Sequence, residues 1–453
     1  MNRELDRQTA AAGFAGRLLR NRVTRRDTVW LFAASVGAAS LQGCARSPVT
    51  GERILVGMSE ADERRIDANH SPHQFSQDLG TIQNKPVNDY VAEVGAKVQG
   101  GVQRKNMPYS YRVLNANYVK AYTFPAGAMG VTRGILVNLR DEAELAALLG
   151  HELGHVNARH AAQQEGIAMV VGLAATGLAV ANRDSEWAPL IGLGTQIGAS
   201  ALLASYSRDD ERQADALGQQ YLVQAGYPAS GMVGLHQLLV SEERRDPRLL
   251  ETLFSSHPMS RERLETAQQA AQTTYLASAG ASPQRERFMD RTASLRSIKP
   301  TIEACQRGES SLSKKALGDA ERHFGDALNR TPNDYAALLR MSQTLQARGR
   351  LADARTYVER ARVAYPQEAQ AVKLGASLKL GLRDPGGALA DLDTYDRLLP
   401  GDSGVGFLKG VAYEGLGRRA EAARHFNQVM LQSRDSPAGQ YASTRLRAWG
   451  YVR

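Results

Sequence analysis

Pro332, Pro366 and Pro400 stand 34 residues apart, and an alanine lies twelve residues before each, at Ala320, Ala354 and Ala388, with Ala422 continuing the series. Gly308, Ser342, Ala376 and Gly410 form a third register of small residues at the same period. A repeat of this length is one pair of helices. Small side chains at fixed positions let the two helices approach closely, and proline, which lacks the donor that a helix interior needs, closes each unit. One pair cannot bury its own apolar face, so pairs must stack. The predicted outcome is an α-solenoid over residues 298–453, with repeats at about 301–334, 335–368, 369–402 and 403–436 and a final helix. Leu345 and Tyr413 share a large-residue position that Lys379 takes in the third repeat, which is expected to be degenerate. A plain helical bundle gives no reason for the 34-residue register. Solenoids of this kind bind segments of other proteins in a concave groove.

The chain has 453 residues, more than one comfortable core, so the solenoid shares it with at least one other domain. Arg17, Arg20, Arg22, Arg25 and Arg26 precede an uncharged run, Thr28 to Gly43, that ends in "LQGC" at Cys44. Basic region, short apolar region and small residue before a processing point make residues 1–43 a secretory signal, too short for a stable spanning anchor. The small residue before cysteine resembles a bacterial lipobox, with Cys44 as the lipidated first residue of the mature chain. Gln42 departs from the usual lipobox residue. Arg25-Arg26 after Thr24 resembles a twin-arginine export signal, with Thr28 where such signals favour an aromatic. Ala45 is not the aspartate that retains lipoproteins in the inner membrane, so the expected address is the periplasm, on the outer membrane through a lipid on Cys44. A soluble periplasmic or inner-membrane-anchored chain is the alternative. Only Cys44 and Cys305 occur, which leaves no intramolecular disulfide and no cysteine metal site. The formal net charge is +9, but its arginines are scattered without a basic-aromatic cluster, so nucleic acid is not an expected partner.

Residues 44–297 read as the second domain. "YSYRVLN" and "VKAYTFPAGAMGVTRGILVNL" are rich in aromatic and β-branched residues punctuated by Pro125, Gly127, Gly130 and Gly134, and predict short strands with turns. "RDEAELAALLGHELGHVNARHAAQQ" then shows helical apolar spacing, with Asp141 and its glutamates at the positive end. Residues four apart on a helix share a face, so His151 and His155 can present imidazoles to one ion. Glu152, about 100° round from His151, lies beside that ion and is poor as a third ligand. This HExxH arrangement is that of zinc hydrolases, where the glutamate is the general base. By itself the motif can arise by chance, so a third ligand decides. "SRDDERQADALG" supplies Glu211 and, four residues later, Asp215. Glu211 completes a His₂Glu site with an open fourth position, and Asp215 is spaced to hydrogen-bond a ligating imidazole. His160 is nine residues from His151 and so faces elsewhere, and it is expected to satisfy a hydrogen bond on the far side and not to bind metal.

The segments "SPVTGERILVGMSEADERRI", "FPAGAMGVTRGIL", "DEAELAALLGHELGHVNARH", "SRDDERQADALG" and "SSHPMSRER" together resemble the HtpX/BepA type of gluzincin metallopeptidase, most closely its periplasmic BepA-like branch. The resemblance runs along nearly all of residues 47–275. It implies that His151, His155 and Glu211 bind one Zn²⁺, that Glu152 is catalytic, and that His257 and Arg263 lie near the site. Lys120 and Ala126 depart from the asparagine and second glycine that the family commonly has in its "NAFxxPGG" turn, which leaves the chemistry intact and bears on the substrate side. The 34-residue units likewise resemble tetratricopeptide repeats. The predicted fold class is therefore α+β, mainly α: a gluzincin-type domain with a small β-sheet, followed by an α-solenoid.

Arg263 is the candidate cation for a developing oxyanion, with an ordinary ion-pairing role as the alternative. His257 is a candidate for the fourth metal position, where it would displace water, and orientation of substrate is the competing role. Residues 167–207 predict a helical hairpin, either packed in the core or touching membrane or substrate, and a segment of about 277–300 reads as a charged linker. Two functional classes compete. One is a periplasmic zinc endopeptidase acting on misfolded or misassembled envelope proteins, with repeats that bind clients or outer-membrane assembly machinery, a role implied by the resemblance. The other is an assembly chaperone or adaptor in which proteolysis is rare or lost.

Overall fold

The computed structural model describes residues 44–168, 206–245, 257 and 261–452. The signal segment and nearly all of the 167–207 hairpin lie outside these residues. The fold is α+β and mainly α. Strands β1 (Cys44–Arg46) and β2 (Arg53–Leu55) pair antiparallel, and helices α1 (Glu60–Gln77) and α2 (Lys85–Gln99) follow. A three-stranded sheet comes next, of β3 (Ser110–Leu114), β4 (Ala121–Thr123) and β5 (Ala128–Thr132). Buried β5 is its centre, parallel to β3 and antiparallel to β4. The turn between β4 and β5 is pinned from α1, where Asp67 accepts the backbone N–H groups of Ala126 and Ala128 at 2.9 Å each. The strand reading stops short of "RGIL". The Thr132 hydroxyl accepts the Ile135 N–H, a cap that turns Arg133–Leu136 into a helical turn, α3.

Helix α4 (Glu142–Ala158) is buried along its whole length, with Asp141 as N-cap. Its first residue, Glu142, accepts the hydroxyls of Tyr90 at 2.7 Å and Tyr227 at 2.6 Å and pairs with Arg287 at 2.8 Å. Arg287 belongs to the segment expected to be a linker. That segment instead folds into α5 (Arg285–Arg291) and α6 (Ala293–Arg296), and buries Phe288 and Leu295 in the same core as α4. Two well-spaced apolar residues outweigh the charged ones around them.

The α4 helix lies against α7 (Arg208–Gln224), and α8 (Ser230–Arg245) and α9 (Arg261–Gln272) complete this unit. The contact of α4 with α7 is a seam of small residues. A Cβ on Gly150 would come within 2.9 Å of the Gly218 carbonyl oxygen, and one on Gly154 within 2.8 Å of that of Ala214. Only glycine permits this approach.

Four helix pairs then stack: α10 (Lys299–Ser313) with α11 (Leu317–Arg330), α12 (Tyr335–Ala347) with α13 (Leu351–Ala364), α14 (Ala369–Gly381) with α15 (Pro385–Leu398), and α16 (Ser403–Gly415) with α17 (Arg419–Gln432). A final helix, α18 (Pro437–Ala448), covers the last pair. The small-residue registers do what the period predicts: Ala320, Ala354, Ala388 and Ala422 are fully buried, and a Cβ on Gly308 would strike the Phe324 ring at 2.6 Å.

The first helices of the second, third and fourth pairs are capped by acids that also recur every 34 residues, Asp334, Glu368 and Asp402. Two of these acids reach the first unit. Asp334 takes both terminal nitrogens of Arg133, at 2.6 and 3.0 Å, and Glu368 accepts the Ser76 hydroxyl. Beside them Leu79, held at φ 69°, packs with Ala304, Cys305, Ala336 and Leu339 of the repeats. A left-handed leucine costs roughly 1–3 kcal/mol and persists where packing over-determines it. The first unit and the repeats are thus joined by buried polar and apolar contacts. Among the described residues no helix is long and apolar enough to cross a membrane.

Candidate metal centre

His151 and His155 sit one turn apart on α4, each directly after a seam glycine, and Glu211 and Asp215 sit one turn apart on the facing α7. The close seam brings the two pairs together. Among the described residues one group of four metal-capable side chains converges, His151, His155, Glu211 and His257, with one ligand atom from each within 4.8 Å of the others. All four are buried. The Nε2 atoms of the two α4 histidines are 3.1 Å apart, and Glu211 oxygens lie 3.6 Å from the first and 3.4 Å from the second. His257 Nδ1 lies 2.9 Å from Glu211 and 3.4 Å from His151 Nε2. Around an ion with ligand distances of about 2.0–2.1 Å, a tetrahedron has edges of about 3.3–3.4 Å. The separations of 3.1, 3.4, 3.4 and 3.6 Å fall close to that figure, and the four side chains can hold one ion.

Electrostatics agrees with the fit. His151 Nδ1 lies 2.9 Å from Asp215 Oδ1, which leaves Nε2 as a bare lone pair turned toward the other donors. Lone pairs and a carboxylate converge on one volume, an arrangement that needs a cation. Burial alone would raise Glu211, yet the charges of His257 and His151 and the hydrogen bonds to it hold the carboxyl far below the usual carboxylate range. Burial lowers His151, but the Asp215 hydrogen bond and the Glu211 charge outweigh it and the net shift is upward. Burial dominates at His155, which is pushed well below the ordinary imidazole range.

Glu152 is 2% exposed, and among the described residues its Oε2 has no hydrogen-bond partner. Its Oε1 lies 3.9 Å from His257 Nε2, beside the donor set and outside it. Arg263 shows the ion pairing that was the alternative to an oxyanion role. Its Nε and Nη2 hold Asp215 at 2.6 and 2.8 Å and its Nη1 lies 2.6 Å from Glu211, so two buried carboxylates engage the guanidinium. His160 satisfies hydrogen bonds and stays out of the metal group as expected, but it does so beside His155 and not on the far side. The helix does not continue through it, because Arg159 adopts φ 60° and ends α4, and His160 returns behind His155 with 2.8 Å between their Nδ1 atoms.

Two neighbours escaped the sequence reading. The Tyr206 ring stacks on His155 with centroids 3.9 Å apart, and buried His236 approaches Asp215 at 3.3 Å from α8. Both lie outside the spaced motifs, Tyr206 one residue before the α7 cap and His236 on an otherwise apolar helix face. The glycine seam was legible in "GHELGH" and "ADALG", as small residues four apart on two helices.

Comparison with known proteins agrees with this geometry. Residues 85–271 match the model of Peptidase family M48, and residues 311–378 match a tetratricopeptide repeat model. A beta-barrel assembly-enhancing protease of Yersinia pestis is 27% identical over 187 residues, 40% of this chain and 38% of that protein. The metalloprotease YcaL of Escherichia coli (strain K12) is 24% identical over 250 residues, 53% of this chain and 96% of that protein. The chain thus spans well under half the length of the Yersinia pestis protease. Among solved structures, the TPR protein YrrB, described as having an unusual peptide-binding site, is 15% identical with a TM-score of 0.30, covering 47% of this chain and 99% of its own. Residues 85–271 belong to peptidase family M48, and a tetratricopeptide repeat segment lies behind them.

Proposed function

We propose that this chain is a zinc metalloendopeptidase of the bacterial envelope that hydrolyses misfolded or misassembled envelope proteins, and that its repeats receive clients or outer-membrane assembly machinery. One observation carries the reading: a buried glutamate, with a carboxylate oxygen that has no hydrogen-bond partner among the described residues, stands directly beside a convergent set of three histidines and a second glutamate. In this reading His151, His155 and Glu211 hold the metal. When bound, zinc supplies Lewis acidity toward water and a peptide carbonyl. Glu152 takes the proton of the attacking water and returns it to the departing amine. Asp215 fixes the His151 ring, and Arg263, in its ion-pairing role, positions Asp215 and Glu211. His257 holds the fourth position in the resting chain, where it competes with water.

Location in the periplasm, on the outer membrane through a lipid on Cys44, is part of the proposal and rests on the N-terminal sequence. A Cys44→Ser chain is expected to leave the membrane fraction or to keep its precursor mass. Unaltered fractionation and unaltered mature mass would count against the lipid.

The experiment that tests the activity is casein digestion with and without a chelator, on wild type and Glu152→Gln. The variant keeps its zinc and loses about a thousandfold in rate, within the range removed with a general base. Full activity in the variant, or wild-type hydrolysis that a chelator leaves untouched, would overturn the mechanism.

A further inference from the structure

The third histidine of "HELGHVNARH" takes no part in the metal set, yet it is fully buried against it. Its two ring nitrogens have partners at 2.8 Å each, His155 Nδ1 on one side and the Gln213 side-chain oxygen on the other. An amide oxygen only accepts, so His160 Nε2 must carry the proton. Asp210 Oδ1, 3.5 Å from the same nitrogen, favours the same placement. A neutral imidazole with its proton on Nε2 has a bare Nδ1, which can only accept. The proton shared between the two rings therefore sits on His155 Nδ1. It follows that His155 Nε2, 3.1 Å from His151 Nε2, is a lone pair, the form in which an imidazole binds a metal.

We propose that His160, itself oriented by Gln213, is a positioning residue that fixes the metal-binding tautomer of His155. The inference rests on the metal site proposed above and adds a residue and a task to it. The two ligating histidines are then served by different means. Asp215 imposes the tautomer of His151 with a charged acceptor, while His155 is set by a neutral ring whose own orientation comes from an amide one step further out. The backbone makes this possible. The left-handed Arg159 ends α4 and folds His160 back over the helix it would otherwise have extended. Gln213 lies on α7 between Glu211 and Asp215, so the helix that supplies the carboxylates also supplies the outermost group of the relay.

The test is zinc affinity of the full chain, measured by competition with a chelator, for His160→Leu, His160→Asn, Gln213→Leu and Gln213→Glu, with the thermal midpoint of each metal-free chain as a control. Asparagine can place an acceptor near the lost Nδ1, whereas leucine fills the space without one. His160→Leu is expected to bind zinc at least about tenfold more weakly, in line with removal of other groups that orient ligands, and His160→Asn to recover most of the loss. Gln213→Leu weakens binding less, about two- to threefold, because half of the ring orientations remain competent, and Gln213→Glu restores it. Wild-type affinity in His160→Leu would overturn the inference. So would equal loss in the leucine and asparagine variants at position 160, which indicates packing alone. If His160→Leu fails to fold, the Gln213 pair decides by the same logic: equal affinity of its leucine and glutamate variants overturns the relay. A wild-type chain that binds no zinc would instead sink the metal site itself.

Discussion

Two of the buried charge clusters among the described residues, the joint between the units and the metal centre, are built to opposite rules. At the joint between the units, Arg133 and Asp334 are both almost fully buried, and their groups close on one another. The guanidinium gives two nitrogens to Asp334 and two bonds to Asn117 Oδ1, at 2.9 and 2.6 Å, and Asp334 also accepts the Ala337 N–H at the start of α12. At the metal centre, acceptors face acceptors. Two imidazole nitrogens stand 3.1 Å apart, and Glu152 keeps an oxygen with no partner among the described residues. Both clusters bury charge, but only one is complete without something from outside. Incomplete pairing in a place that otherwise excludes water is what marks a site for chemistry.

The strongest way to break this contrast is to remove the carboxylate that makes the centre a trap for cations. Glu211→Ala should purify without zinc and without hydrolysis, while the metal-free chain remains folded. Unchanged metal content would show that the third ligand lies elsewhere.

The joint should respond in stability and not in metal. Arg133→Ala leaves the Asp334 carboxylate buried without its partner, which costs about 3–5 kcal/mol. A double variant, Arg133→Met with Asp334→Asn, keeps the helix cap and buries no charge, so most of the loss should return. Thermal midpoints of the metal-free chains measure both, and zinc affinity should be unchanged in the double variant. The joint also has a pH signature. Burial would raise Asp334, but the charge and hydrogen bond of Arg133 and the backbone N–H groups hold it below the usual carboxylate range. A depressed folded value stabilises above the unfolded value of about 3.9 and is lost as pH falls through the folded one. Wild type should therefore lose stability more steeply than the double variant below about pH 4. Identical acid profiles would remove this ion pair from the account.

The smallest expected effect sharpens the comparison from the side of the site. If His257 fills the fourth position, His257→Ala should raise basal cleavage of an unstructured substrate about threefold or more, by the fraction of chains it otherwise blocks, without loss of zinc. Slower cleavage than wild type at saturating substrate would reverse that role and make His257 a helper of the reaction.

Local sequence carried a large part of this protein. Spacings of four placed His151 with His155 and Glu211 with Asp215 on two helical faces, and a period of 34 residues placed the helix pairs of the solenoid, because both are properties of one element or one repeating unit. Distance along the chain set the limit. Arg133 finds Asp334 across 201 residues, and His236 approaches Asp215 from a separate helix. Phe288 and Leu295 read as parts of a charged linker until the core they enter is built. His160 was misplaced for a nearer reason: a single arginine in the left-handed region ends the helix, and arginine carries no sign of that conformation. Residue type and periodicity therefore determined which groups are available and which face they share. Which groups meet, which stay unpaired and which way a ring proton points were decided only when non-adjacent segments packed, since those choices depend on contacts that no local pattern contains.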